Sequence, residues 1–230
     1  MPPGAKARRG PGDPDLLPWG SGIAPGTELD VGFVERSPLE LARGLLGCRL
    51  VSTVDGRRTS GVIVETEAYQ GSDDPASHAC TVAGRTKRNA VMFGPPGVSY
   101  VYRIYGMHWC MNVVADRKGR AGAVLLRGLH ALEGQDVMRE RRGREPLTTG
   151  PGRLCQALGI TGGLYGHDLC AEPLQLRAGW TLPPDLIGAS GRIGVRAAAD
   201  WPYRFYVLGA PGVSPHPPHS IPQTRLGRPE

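Results

Sequence analysis

The run Gly61-Val62-Ile63-Val64-Glu65-Thr66-Glu67-Ala68-Tyr69 opens on three apolar residues and then sets two glutamates and a tyrosine at every second position, which predicts a β-strand that starts buried and whose residues two apart share a face. Val62, Val64, Thr66 and Ala68 are expected to face a core, while Ile63, Glu65, Glu67 and Tyr69 line the opposite side. Upstream, Ser37-Pro38-Leu39-Glu40 carries the N-cap, first-turn proline and N3 glutamate of a capping box. It predicts a helix through about Leu46, closed by Gly47. A strand over residues 48–54 and the turn pair Asp55-Gly56 then lead into the alternating segment. Residues 98–104, 109–114 and 123–127 read as further strands, 132–142 and 151–158 as helices, and 192–195 and 204–208 as late strands.

Strands joined by short turns and interrupted by helices predict an α+β fold. The expected architecture is a single domain with a mixed, largely antiparallel curved sheet, surrounding helices and a protruding β-hairpin. The Pro- and Gly-rich stretch over residues 1–30 is expected to be a disordered tail, with a domain over 31–210 and a flexible tail over 211–230. His216 and His219, in a proline-rich run, lack an element to fix them and are not taken as a metal site.

Composition narrows the function. Of 230 residues 40% are hydrophobic, enough for a substantial core. The net charge is +6 and only Lys6, Lys87 and Lys118 are lysines, so the excess is carried by arginine. Arginine grips phosphate through a planar fork, which suits a nucleic-acid backbone. The five cysteines are odd in number, widely spaced and form no C-x-x-C. That pattern gives neither a disulfide framework nor a cysteine zinc site, and fits a reducing compartment. With no apolar run of membrane length and no signal-peptide pattern, an intracellular protein is expected.

Strands disfavour glutamate and like charges on one face repel. Glu65 and Glu67 beside Tyr69 therefore read either as a solvated strand face or as a general base next to an aromatic wall. Residues 98–112 concentrate aromatics in a chain with 6% overall. Tyr100 and Tyr102 share a face, and Gly106 places Tyr105 at a hairpin tip. These rings suit either paired core strands or a pocket with a wedge that enters a base stack. His78 fits a general acid, a hydrogen-bond donor or a structural cap. Arg85-Thr86-Lys87-Arg88 is a solvated loop or a phosphate clamp. Thr149-Gly150-Pro151-Gly152-Arg153 is a plain helix start or an anion site.

These blocks, in order and spacing, resemble the alkyladenine (3-methyladenine) DNA glycosylase family. The resemblance rests on Val64 to Tyr69, Ala76-Ser77-His78, Arg88-Asn89, Met92-Phe93, Pro96-Gly97, Tyr100-Val101-Tyr102, Tyr105-Gly106-Met107 and Cys110-Met111-Asn112. It continues through Leu125-Leu126-Arg127, Gly150-Pro151, residues 154–158 and residues 204–207, so it spans nearly the whole expected domain. It implies a monofunctional enzyme that flips a damaged purine from double-stranded DNA, hydrolyses the N-glycosidic bond and leaves an abasic site.

By the same resemblance Glu67 is the general base and Arg127 helps position its water. Tyr69, His78, Tyr102 and Asn112 form the base pocket, and Tyr105 with Met107 intercalates. Arg88, Arg103, Gly150 and Arg153 are candidate phosphate contacts. No cofactor, metal or membrane is implied. A monomer is expected, in the cytoplasm or nucleoid if the source is prokaryotic. Glu65 receives no secure role. A silent DNA-binding module is disfavoured by the presence of both Glu67 and Arg127. A small-molecule hydrolase leaves the tip tyrosine unexplained.

Overall fold

The computed structural model describes residues 27, 29–80, 84–215 and 224–225. The chain enters through α1 (Val31–Val34) and α2 (Pro38–Gly44). The capping box forms as expected: the Glu40 amide donates to Ser37 Oγ, and the Ser37 amide donates back to the Glu40 carboxylate. β1 (Arg49–Ser52) and β2 (Thr59–Tyr69) are joined by a turn in which Asp55 and Gly56 both take positive φ. β3 (Ser99–Ile104), β4 (His108–Val114) and β5 (Ala123–Ala131) follow, then α3 (Gln135–Arg142) and α4 (Pro151–Leu158). β6 (Leu174–Arg177), β7 (Ile187–Ser190), β8 (Arg204–Val207) and β9 (Thr224–Arg225) complete the described elements.

Among the described residues, one nine-stranded sheet runs β3-β4-β5-β2-β8-β7-β9, with β1 lying between β2 and β6. Its pairings are antiparallel. The fold is α+β. β2 is central: β5 pairs along one edge, while β1 and then β8 share the other. α2 covers it, and Leu41, Leu45, Ile63, Val64, Leu126 and Phe205 form a core with essentially no exposure. Each such side chain contributes roughly 1.5–3 kcal/mol of burial. Thr66 Oγ1 donates to Ala42 O at 2.8 Å, fixing helix to strand.

The β2–β5 ladder slips twice. Ile63 pairs with Leu129, Glu65 with Gly128 and Thr66 with Leu126. One extra residue on β2 (Val64) is thus followed by one extra on β5 (Arg127), as in paired bulges. The strict alternation expected for β2 fails here. Every residue from Thr59 to Ala68 is buried, and Ile63 joins the core instead of lining a solvated face with the glutamates. A strand flanked on both edges and covered on both sides has no wet face.

Three other expectations need correction. Residues 192–195 form a turn, and the strand precedes them as β7, because Arg192 turns inward to a buried partner and Gly194 adopts φ +79°. The helix expected from residue 132 starts at Gln135, behind Gly134 in a left-handed conformation. The tail expected from Pro211 begins as packed chain. Gly212 O passes so close to Gly128 that a Cβ there would meet it at 2.3 Å, and Ser214 is buried. Of the tail expected over residues 1–30, residues 1–26 and 28 lie outside the described residues, as do the proline-flanked His216 and His219.

Candidate active site

The β3–β4 hairpin, the end of β2 and two loops enclose a cavity of about 550 Å³, a volume in the range of small-molecule sites. Tyr69, His78, Tyr102, Asn112, Arg127 and Tyr105 all line it, so the structure brings six of the expected site residues together. Two-residue periodicity on β3 sets Tyr100 and Tyr102 side by side, ring centroids 5.2 Å apart. The His78 ring meets Tyr102 edge-on at 4.6 Å. Asn112, buried on β4, donates from Nδ2 to Tyr100 O at 3.0 Å, which fixes its amide in the wall.

His78 is held by Tyr100, a contact the sequence did not disclose: Nδ1 and the Tyr100 hydroxyl are 2.8 Å apart. Burial pushes the Tyr100 phenol up to about 12, so it stays protonated. With the phenol donating to His78 Nδ1, the neutral ring carries its proton on Nε2. That nitrogen has no partner among the described residues. Burial, with Arg88 adding to it, drops the His78 pKa to about 4. The imidazole is therefore a neutral donor at physiological pH.

This has a measurable consequence. Between pH 6.5 and about 4 the unfolded chain takes up a proton that native His78 refuses, so this group removes stability as pH falls through that window. An NMR titration should find the His78 ring midpoint near 4; a midpoint near 6.5 would contradict the buried, Tyr100-bound ring.

Glu67 lies directly behind the cavity lining and is fully buried. The Ile193 amide donates to Oε1 at 2.7 Å, and the Tyr69 hydroxyl donates to Oε2 at 2.9 Å. Arg127 Nη1 stands 3.3 Å from Oε1. The bulge that adds Arg127 to β5 aims its guanidinium at β2 between the two glutamates. Burial opposes the charge of Arg127, but Glu67 and Glu65 outweigh it and raise its pKa. Burial first, then the Glu67 carboxylate, lifts the Tyr69 phenol well above its ordinary value. The site thus holds a carboxylate facing three donors, whose owners, Tyr69, Arg127 and Ile193, all line the cavity.

Sequence reasoning missed what supports this wall. Arg192 makes a buried two-pronged ion pair with Asp74, at 2.5 and 2.8 Å, and donates to Ala68 O at 3.0 Å. Its guanidinium lies 4.7 Å from the Tyr69 ring centroid, behind the cavity, and its neighbour Ile193 holds Glu67. Asn89, also buried, fastens the loop carrying His78 by donating to His78 O and Gly84 O at 2.7 and 2.8 Å. Neither contact has a local signal: Asp74 and Arg192 stand 118 positions apart.

The mouth is basic and apolar together. Tyr105 and Met107 are 80% and 66% exposed at the hairpin tip, unlike almost every other large apolar side chain among the described residues. Met107 N–H donates to Ile104 O across the turn, with Tyr105 at φ 53° and Gly106 at φ 69°. A left-handed tyrosine is an uncommon conformation, here serving to turn the ring outward. Arg88 covers the Tyr102 ring at 4.9 Å and Arg103 stacks over Trp109 at 5.5 Å. Arg196, not foreseen, adds a cation to the cavity lining. Gly150 and Arg153 do not line the cavity, although Pro151 and Gly152 do. The Gly150 amide donates to Arg127 O and Arg153 to Thr149 O. Any anion at the start of α4 must therefore use later amides, with Arg153 as a cation.

A family model described as methylpurine-DNA glycosylase (MPG) matches residues 32–211. A protein of Chlorobaculum parvum is 46% identical over 206 residues, covering 88% of this chain and 94% of its own length. A Granulibacter bethesdensis protein is 49% identical over 198 residues (84% and 88%). One from Methanoculleus marisnigri is 47% identical over 192 residues (81% and 98%). All three are assigned by name as 3-methyladenine DNA glycosylases. A family model covering nearly the whole described domain, and relatives this similar along their full lengths, place the chain: it belongs to the methylpurine-DNA glycosylase family.

Proposed function

We propose that this chain is a monofunctional DNA glycosylase that flips alkylated purines from duplex DNA and hydrolyses the N-glycosidic bond. The observation that carries this reading is a buried carboxylate, Glu67, paired with Arg127 immediately behind an aromatic cavity with an exposed tyrosine at its rim. A purine inside a duplex cannot reach a carboxylate so deep, so it must be extruded. Tyr105 fills the gap left in the stack, with Met107 beside it. The base stacks between Tyr69 and Tyr102 and receives a hydrogen bond from His78 Nε2. Electron-rich rings favour a purine made cationic by alkylation. Asn112, locked to Tyr100 O, limits the space for an exocyclic amino group.

Glu67 takes a proton from a water that Arg127 helps to place. The water oxygen bonds to the anomeric carbon as the glycosidic bond breaks and its electron pair leaves with the base. The carboxylate also stabilises positive charge on the departing sugar. None of Lys6, Lys87 and Lys118 occupies the Glu67 position. Hydrolysis without strand cleavage is therefore the expected chemistry. Arg88, Arg103 and Arg153 supply cations at the mouth for the flanking phosphates. The enzyme acts as a monomer, where the cell keeps its DNA. No helix among the described residues is long and apolar enough to cross a membrane.

Release of free base from duplexes carrying one defined lesion tests the reading. Tyr105→Ala should slow release from a paired duplex by about 10- to 100-fold, since unstacking takes a few kcal/mol that the wedge no longer offsets. On single-stranded substrate the variant should approach wild type. Equal rates of the two proteins on duplex would remove the wedge from the mechanism.

A further inference from the structure

Glu65 is fully buried and lies one strand period before Glu67. Its Oε2 accepts from both the amide and the hydroxyl of Ser214, at 2.9 and 2.7 Å. Its Oε1 accepts from Arg204 Nε at 2.6 Å and faces Arg127 Nε at 3.4 Å. Arg204, also fully buried, donates onward to Ser190 Oγ and Ser214 O. Two carboxylates and two guanidiniums thus form a neutral buried cluster.

The distances within that cluster are unequal. Arg204 grips Glu65 at the short end of the range for charged hydrogen bonds, whereas Arg127 stands at 3.4 Å from Glu65 and 3.3 Å from Glu67. Arg127 is shared between the two carboxylates and tightly bound by neither. Ser214 holds the far oxygen of Glu65, so the near one stays aimed between the two arginines.

We propose that Glu65, together with Arg204 and Ser214, is a positioning group that keeps Arg127 from collapsing onto Glu67, so that its guanidinium stays aimed at the place where the water must sit. This rests on the glycosylase reading above. Other groups facing Glu67 are Tyr69 on its own strand, Tyr102 and Cys110 from the hairpin, and Arg192, with its partner Asp74, from the loop. The two phenols and the thiol are all raised by burial and stay neutral over the working range. Arg192 stays charged. Substituting Glu65 therefore changes one charge in an otherwise constant field.

Single-turnover base release should be followed against pH for wild type, Glu65→Gln, Glu65→Asp, Ser214→Ala and Glu67→Gln, together with affinity for a duplex containing a reduced abasic analogue. In Glu65→Gln, Arg127 falls to Glu67 alone. The plateau rate should then drop by about tenfold, with affinity unchanged. Glu65→Asp keeps the charge and should restore most of the rate. A wild-type plateau in folded Glu65→Gln, beside an inactive Glu67→Gln, would overturn the inference and leave the glycosylase reading standing. No base release by wild type would overturn both. Should Glu65→Gln fail to fold, Ser214→Ala leaves all four charges in place. It should slow release by roughly three- to tenfold through lost aim, and a wild-type rate would overturn the inference.

Discussion

Glu67→Gln should bind lesion-bearing duplex as wild type does and release base at least about a thousandfold more slowly. The substitution is nearly isosteric. The amide oxygen can still accept from the Ile193 N–H, and the amide nitrogen can donate to the Tyr69 oxygen, so the wall should stand. What disappears is the negative charge. A neutral amide cannot take the proton from water and gives little to a cationic sugar. Arg127 would lose one of its two carboxylates and settle against Glu65. The base pocket, the wedge and the rim cations are untouched, which predicts preserved binding. The check is single-turnover release of free base alongside a binding titration on the same duplex. Wild-type-like excision would dismiss Glu67 as the base.

Breaking the Asp74–Arg192 pair should have the largest effect on stability. Both side chains are fully buried, and Arg192 Nε has no partner. Burial opposes the arginine's charge, but hydrogen bonding and attraction to Asp74 outweigh it and raise its pKa. Asp74→Asn leaves that cation buried without its counter-charge, which typically destabilises by about 3–5 kcal/mol. For a domain of this size that corresponds to a fall in Tm of roughly 10 °C. Replacing both residues by leucine should recover part of the loss, because no buried charge is then stranded. Thermal unfolding of the two variants checks the order. A double variant less stable than Asp74→Asn would show that the pair itself stabilises the wall. Activity should fall in both, since Ile193 is the neighbour of Arg192 and holds Glu67.

Local chemistry was legible where neighbours in sequence are neighbours in space. The capping box at Ser37–Glu40, the β3–β4 turn that carries Tyr105 and the start of α4 form as read, whereas Asp55-Gly56 sits in a longer connection over residues 53–58 instead of a two-residue hairpin. The shared face of Tyr100 and Tyr102 followed from strand geometry alone. The ladder slip was not legible, because nothing in either strand's own sequence marks Val64 or Arg127 as extra and only the partner strand reveals it. Nor was the support of the site: Glu65 meets Ser214 across 149 positions. Ser214 lies in a proline-rich stretch whose composition signals irregular chain. Irregular it is, but packed. β7 escaped notice because Ile187-Gly188-Ala189-Ser190 lacks the large β-branched and aromatic side chains that mark strands. Gly188 is required there, since a Cβ would meet the Tyr206 ring at 2.5 Å.

The crossing of Gly212 over Gly128 bears on the clearing of a lesion and not on its capture. Glu65 takes two of its four contacts from Ser214, which follows β8 in the chain. Gly128 leaves a vacant track on β5 along which residues 211–214 seat. A chain deprived of this crossing should still occupy damaged DNA without clearing it efficiently.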